Sequence, residues 1–234
     1  MSIHIISDGY DYVKSARRDS IRESDVSVSV SDGNLKYKPN AHVKFLIWSI
    51  PAQSTCPFST AHCREKCYAM KAQKQYPNVR ESRKENLRAC FSPNFVDAMT
   101  AIILTKAKRS RKDRIIVRIH ESGDFFAEWY LDKWLQIARN CLADVRVVFW
   151  TYTKSFQFLV GKEIPENFRV RGSVWDDTDD DQLALIEELE MPIYTAVEKF
   201  ADNDGYAHCQ CKDCANCETP CGDMSIMKTA CEIH

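Results

Sequence analysis

Short apolar runs rich in Val, Ile and aromatic residues punctuate the chain at 43–50 (VKFLIWSI), 114–120 (RIIVRIH), 145–153 (VRVVFWTYT), 168–175 (FRVRGSVW) and 192–197 (PIYTAV). Runs of this length and composition, apolar on both faces, predict buried strands. Helical periodicity lies between them, at 79–108, 126–142, 155–160 and 181–190. Strands alternating with helices imply parallel βαβ units, so the expected fold is α/β, a partial (β/α) barrel of parallel strands. Residues 1–40 are polar and weakly periodic, with VSVSVS at 26–31 as their one alternating stretch, and are expected to form an N-terminal arm or edge hairpin. The barrel is assigned to 41–200. Composition shifts at Ala201, and 201–234 is expected to be a cysteine-rich, cluster-binding extension.

Composition narrows the function classes. Hydrophobic residues make up 44% and charged residues 28%, an ordinary globular balance that excludes disordered and collagen-like chains. No apolar run approaches the roughly 20 residues that cross a bilayer, and the opening MSIHIISDGYDY lacks a basic segment followed by a long apolar stretch. A soluble, cytoplasmic protein with no membrane partner is expected. The formal net charge of −1 offers no global basic field for nucleic acid, so any such contact must be local. Lys106, Lys108, Arg109, Arg111, Lys112 and Arg114 fall where a helix ends, a position that favours cations. Asp176, Asp177, Asp179, Asp180 and Asp181 precede a helix whose N-terminus they can cap.

Cysteine placement changes the picture most. Of 11 cysteines, Cys56, Cys63 and Cys67 form one burst, Cys209, Cys211, Cys214, Cys217 and Cys221 a second, and Cys231 trails behind. From Cys211 to Cys221 the spacing is C-x2-C-x2-C-x3-C, the run that holds iron–sulfur clusters in bacterial ferredoxins. Structural zinc is the rival, since four thiolates also satisfy a tetrahedral ion, but zinc sites usually separate two C-x2-C pairs by a dozen or more residues. A disulfide framework suits neither the chain length nor an intracellular setting. Three thiolates leave one iron of a cluster with an exchangeable position, whereas four close the shell. Cys56, Cys63 and Cys67 therefore read as an open set, with one cluster shared between the bursts as the alternative arrangement. Cys90 and Cys141 stand alone in amphipathic stretches and read as buried small hydrophobes.

Parallel α/β folds bind ligands at the carboxyl ends of their strands. There the chain places His120, Glu121, Ser122, Gly123 and Asp124 after the second strand and Tyr152, Thr153, Lys154 and Ser155 after the third. Ser173, Trp175 and Asp176 follow the fourth, and Glu198 and Lys199 the fifth. His120 and Glu121 are candidates for proton transfer and Lys154 for anion binding, while Ser122 and Asp124, taken singly, read as caps of the next helix. Arg80, Arg83, Lys84 and Arg88 lie on a segment suited to phosphate contacts or to a solvated helix face.

The segments CPFSTAHCREKCYA (56–69), RIHESGDFF (118–126) and WTYTKS (150–155), followed by the terminal cysteine cluster, resemble the gene product 88 family of phage proteins, over roughly residues 40–221. That resemblance implies a phage protein working in a host cytoplasm, and carries no established reaction. A weaker resemblance, to radical S-adenosylmethionine enzymes, rests on three cysteines following the first confident strand and an aromatic residue, Tyr68, directly after the last of them. It implies an open [4Fe-4S] cluster able to bind S-adenosylmethionine, with Tyr68, Ser122 and Asp124 beside the cofactor and the C-terminal cysteines holding an auxiliary cluster. The spacing departs from that family, being x6 and x3, and no GGE-like segment is present. The expected function is an iron–sulfur enzyme, redox or radical-forming, acting on a small-molecule or macromolecular substrate. The alternative is a non-enzymatic module, stabilised by iron–sulfur or zinc, that contacts nucleic acid or a host protein.

Overall fold

The computed structural model describes residues 28, 30–33, 42–199, 205–209 and 224–232. Most of the expected N-terminal arm, and Cys211, Cys214, Cys217 and Cys221, lie outside the described residues.

The five apolar runs form strands: β1 (Val43–Trp48), β2 (Arg114–Ile119), β3 (Val147–Thr153), β4 (Phe168–Val174) and β5 (Ile193–Val197). Two short strands follow, β6 (Ala207–His208) and β7 (Lys228–Glu232). All pair in parallel in one seven-stranded sheet, in the order β1-β2-β3-β4-β5-β7-β6, which does not close on itself. The helices are α1 (Ala61–Glu65), α2 (Tyr68–Gln75), α3 (Pro77–Cys90), α4 (Phe95–Lys108), α5 (Glu128–Asn140) and α6 (Asp180–Glu188). Among the described residues, no helix is long and apolar enough to cross a membrane.

Two expected helices come out differently. The stretch 79–108 divides into α3 and α4, because Pro93 lacks an N–H and disfavours helical geometry at Ser92, whose hydroxyl instead accepts from Asn94 N–H at 3.2 Å. The stretch 155–160 holds only a 3-10 turn, Phe156–Phe158. The charged runs behave as helix ends. Lys106 and Lys108 lie in the last turn of α4, and Asp179 caps α6 by accepting from Gln182 N–H at 2.8 Å.

Strand alternation divides the sheet into two faces. The first carries Leu46, Trp48, Ile115, Val117, Ile119, Val147, Phe149 and Phe168, and all of these pack with residues of α3, α4 and α5 in the main core. In α5 the buried side chains Tyr130, Leu131, Trp134, Leu135, Ile137 and Ala138 make one apolar stripe. Trp48, Phe95 and Trp134 interlock there, with ring centroids 5.5 to 6.0 Å apart, at aromatic contact distance. The second face joins Val43, Phe45, Ile47, Trp150, Cys209 and Cys231. Polar groups enter this face as well: the Arg118 guanidinium lies 4.4 Å from the Tyr152 ring centre, and fully buried Arg171 donates to the Ile193 carbonyl and to Thr229 Oγ1.

Candidate functional site

The segment after β1 is stitched to the end of β2. Ile50 N–H donates to the Ser122 carbonyl, Ser122 Oγ donates back to the Ile50 carbonyl, and Asp124 N–H donates to the Thr55 carbonyl at 3.2 Å. Gly123 makes that approach possible. Its φ is +87°, and a β-carbon there would collide with Ile50 Cγ1 and sit 2.7 Å from Thr55 Oγ1. Ser122 and Asp124 do not cap α5, which begins after Ala127 without a side-chain cap. Instead Asp124 accepts from Phe125 N–H at 2.7 Å, Thr153 Oγ1 at 2.7 Å and Lys154 N–H at 2.8 Å, tying the end of β2 to the end of β3.

Residues 56–68 continue as a strap across these ends. Thr60 caps α1 by accepting from Cys63 N–H at 3.2 Å. His62 reaches the end of β4: its N–H donates to Asp177 Oδ2 at 2.8 Å, its Nδ1 lies 2.6 Å from Asp176 Oδ1, and its ring packs edge-on against Trp175. Tyr68 OH then donates to the Glu121 carbonyl at 2.6 Å. The cysteine strap is therefore fastened to the ends of β2 and β4, which flank β3.

Cys56, Cys63 and Cys67 are free thiols, each half-buried. Burial pushes the Cys56 thiol well up, and the nearby Asp124 carboxylate and Cys63 push it the same way. Burial also raises the Cys63 thiol, against the pull of the Lys154 ammonium, which hydrogen-bonds to it. Lys154 is itself buried and donates to Ser173 Oγ at 2.6 Å. Burial raises the Asp124 carboxyl, while its three hydrogen bonds and Lys154 act to lower it. Among the described residues, no group of three His, Cys, Asp or Glu is placed to hold a metal ion. Thiolates are nonetheless the donors that soft metals and iron–sulfur clusters take. Cys56 and Cys63, whose thiols are raised by burial, lie close enough to each other and to the Asp124 carboxylate to interact electrostatically, a setting that a cationic centre would relieve.

The other sequence candidates divide. Glu121 lies at the rim beside Tyr68. His120 sits beneath, buried, with the left-handed φ of 60°. Trp48 Nε1 donates to Tyr130 OH at 3.0 Å, and the same hydroxyl hydrogen-bonds with His120 Nε2 at 2.9 Å. The other ring nitrogen, Nδ1, is buried and has no hydrogen-bond partner among the described residues. Burial, reinforced by Arg118, holds this imidazole far below its usual range and so neutral. Cys209 and Cys231 lie at the carboxyl ends of β6 and β7, buried in the second face, with Cys209 N–H donating to the Ala230 carbonyl. Cys90 and Cys141 are buried, and their thiols are pushed up to about 12 by desolvation.

On α3, Arg83 is buried and donates to the Ala69 carbonyl, while Arg80 and Lys84 pair with Glu81 and Arg88 with Glu85. Arg83 thus supports α2 rather than facing solvent. Sequence reasoning missed the His62 contacts with Asp176 and Asp177, and the acidic run was their one signal.

Residues 24–227 match the family described as Gene product 88. The Gene 88 proteins of Mycobacterium phages D29 and L5 are each 30% identical to this chain over 105 residues, or 43% of it. The match covers 42% and 43% of those two proteins, so the chain spans about two fifths of their length. No solved structure matches the chain. With the family match covering every strand of the parallel sheet except β7, the chain belongs to the gene product 88 family.

Proposed function

We propose that this is an iron–sulfur protein, a redox or radical-forming enzyme whose Cys56, Cys63 and Cys67 hold an open [4Fe-4S] cluster at the carboxyl edge of a partly closed parallel barrel. The observation that carries it is the strap: it bears three cysteines, is fastened to the ends of β2 and β4, and passes Lys154 after β3, at the strand ends where α/β folds bind ligands. When bound, such a cluster supplies electrons and one exchangeable iron position. The chain supplies position and charge. Lys154, held by Ser173 beside Cys63, would take an anionic group of the substrate. Glu121 at the rim, and His120 through Nδ1, would exchange protons, with Tyr130 fixing the histidine ring. Cys209, Cys211, Cys214, Cys217, Cys221 and Cys231 are assigned to an auxiliary cluster in the C-terminal extension.

The test is anaerobic purification followed by iron and acid-labile sulfide analysis. About four irons and four sulfides per cluster are expected. Cys63→Ala should lose the signal that S-adenosylmethionine or another small ligand perturbs in electron paramagnetic resonance. Stoichiometric zinc without sulfide, after reconstitution with iron and sulfide, would overturn the proposal.

A further inference from the structure

From Lys66 to Arg80 the chain has four basic residues, Lys66, Lys71, Lys74 and Arg80, and no acidic one, although the whole chain carries a net charge of −1. α2 occupies the middle of this stretch. At 100° per residue, Ala69 and Gln73 point one way and Tyr68, Lys71, Lys74 and Gln75 the other. Ala69 is buried and its carbonyl accepts from Arg83 of α3, which fixes the orientation of the helix. Lys71 and Lys74 are exposed and make no ion pair among the described residues, in contrast to the paired cations of α3.

Exposed rings accompany these cations. Of the seven exposed large hydrophobic side chains among the described residues, the two aromatic ones, Tyr68 and Tyr76, lie at the two ends of α2, at 57% and 51% exposure. A solvated helix face accounts for lysines, but not for two rings in water. The Tyr68 ring is also held in place, since its hydroxyl is bonded to the Glu121 carbonyl. A fixed exposed ring loses little entropy when something stacks on it.

We infer that the outer face of α2 binds single-stranded nucleic acid, with bases stacking on Tyr68 and Tyr76 and phosphates passing Lys71 and Lys74. The order ring, cation, cation, ring spans roughly 12 Å, the length of an eight-residue helix. It combines the two elements that single-stranded nucleic acid takes, aromatic rings for base stacking and cations for the backbone. Duplex DNA offers no unstacked base faces for these rings. The surface contains no cysteine, so the inference stands independently of the metal. If both are correct, the strand runs beside the strand-end site.

The experiment is fluorescence anisotropy of the full-length, anaerobically purified protein with fluorescein-labelled oligothymidylate and oligouridylate of roughly twenty nucleotides, enough for a site of about 4–16. A duplex of equal length serves as competitor. Binding of one or both single strands at about 50 mM salt is expected, weakening as salt rises, with the two arms separating DNA from RNA. Lys71→Ala with Lys74→Ala should reduce the salt slope by about 1.4. Tyr76→Ala should weaken binding roughly 5- to 150-fold and Tyr76→Phe should restore it. Circular dichroism and iron content, unchanged in these variants, separate this result from failure of the cluster assignment. No binding, preference for duplex, or binding indifferent to all of these variants would overturn the inference.

Discussion

Gly123 and Thr55 meet so closely that a β-carbon at position 123 would stand 2.7 Å from the threonine hydroxyl. Ile50 crowds the same point from the other side, and the φ of +87° disfavours any L side chain. Both neighbours belong to the segment that launches the cysteine strap, and Thr55 Oγ1 is already donating to the Pro51 carbonyl at 2.6 Å.

Gly123→Ala should therefore destabilise the protein by about 2–4 kcal/mol, combining left-handed strain with overpacking. The matched control is Gly161→Ala. That glycine also has positive φ, +70°, but nothing lies within 4 Å of the point a β-carbon would occupy, so only about 1–2 kcal/mol of backbone strain applies. Thermal denaturation of the two variants should show the larger Tm drop at 123. Iron retention should fall with Gly123→Ala and not with Gly161→Ala, because only the former displaces the strap. Equal Tm shifts would mean that the contact with Thr55 carries no constraint.

A second prediction concerns acid stability. His120 is held neutral by burial first and by Arg118 second, and it faces Phe125 and the hydroxyl of Tyr130. The folded protein thus refuses a proton that the unfolded chain takes up below about pH 6.5. Since the unfolded state binds more protons there, stability is complete above that pH and declines as pH falls below it, by up to about 1.4 kcal/mol per pH unit. His120→Asn removes the titration and tolerates the left-handed φ of 60°. Its Tm at neutral pH should drop through lost packing, while the slope of Tm between about pH 6.5 and pH 5 should become shallower than in the parent. Parallel slopes would show that His120 accepts its proton in the folded state.

The sheet was legible because β1 to β5 are contiguous apolar runs, and their observed ends fall within two residues of those expected. His120 marks the kind of error made: it belongs to an apolar run by composition, yet its left-handed backbone ends β2 before it. Periodicity carried the helical pattern through 79–108 even though Pro93 stood in the sequence as a stop signal. α1 and α2 were not expected, since five and eight residues with few apolar positions make no readable stripe. β6 and β7 were missed for a similar reason, being short and set among cysteines and polar residues. Within the site, the gathering of Glu121, Asp124, Lys154 and Ser173 with the first cysteine burst followed from parallel-strand topology. The role of Asp124 did not: a carboxylate before a helix reads as a cap, whereas its actual donors Thr153 and Lys154 lie 29 and 30 residues away.

The last prediction concerns the longest tie in the strap, between His62 and residues 114 and 115 positions onward. Asp177 accepts the His62 N–H, and Asp176 holds the ring and keeps the imidazole pKa above its usual value. Both ties lie near the surface, so neither is a large source of global stability. What they do is fix the first turn of α1, and with it the position of Cys63 relative to Lys154. Replacing Asp177 with Ala should leave Tm nearly unchanged but accelerate proteolytic cleavage within residues 56–67, because the strap then opens locally without global unfolding. Reconstituted iron should also be lost faster to a chelator from this variant. Asp177→Asn keeps an acceptor oxygen for the His62 N–H and should recover most of the protection, separating the hydrogen bond from the charge. Cleavage at the parent rate in Asp177→Ala would show that Asp176, Trp175 and the Tyr68 anchor hold the strap without this bond.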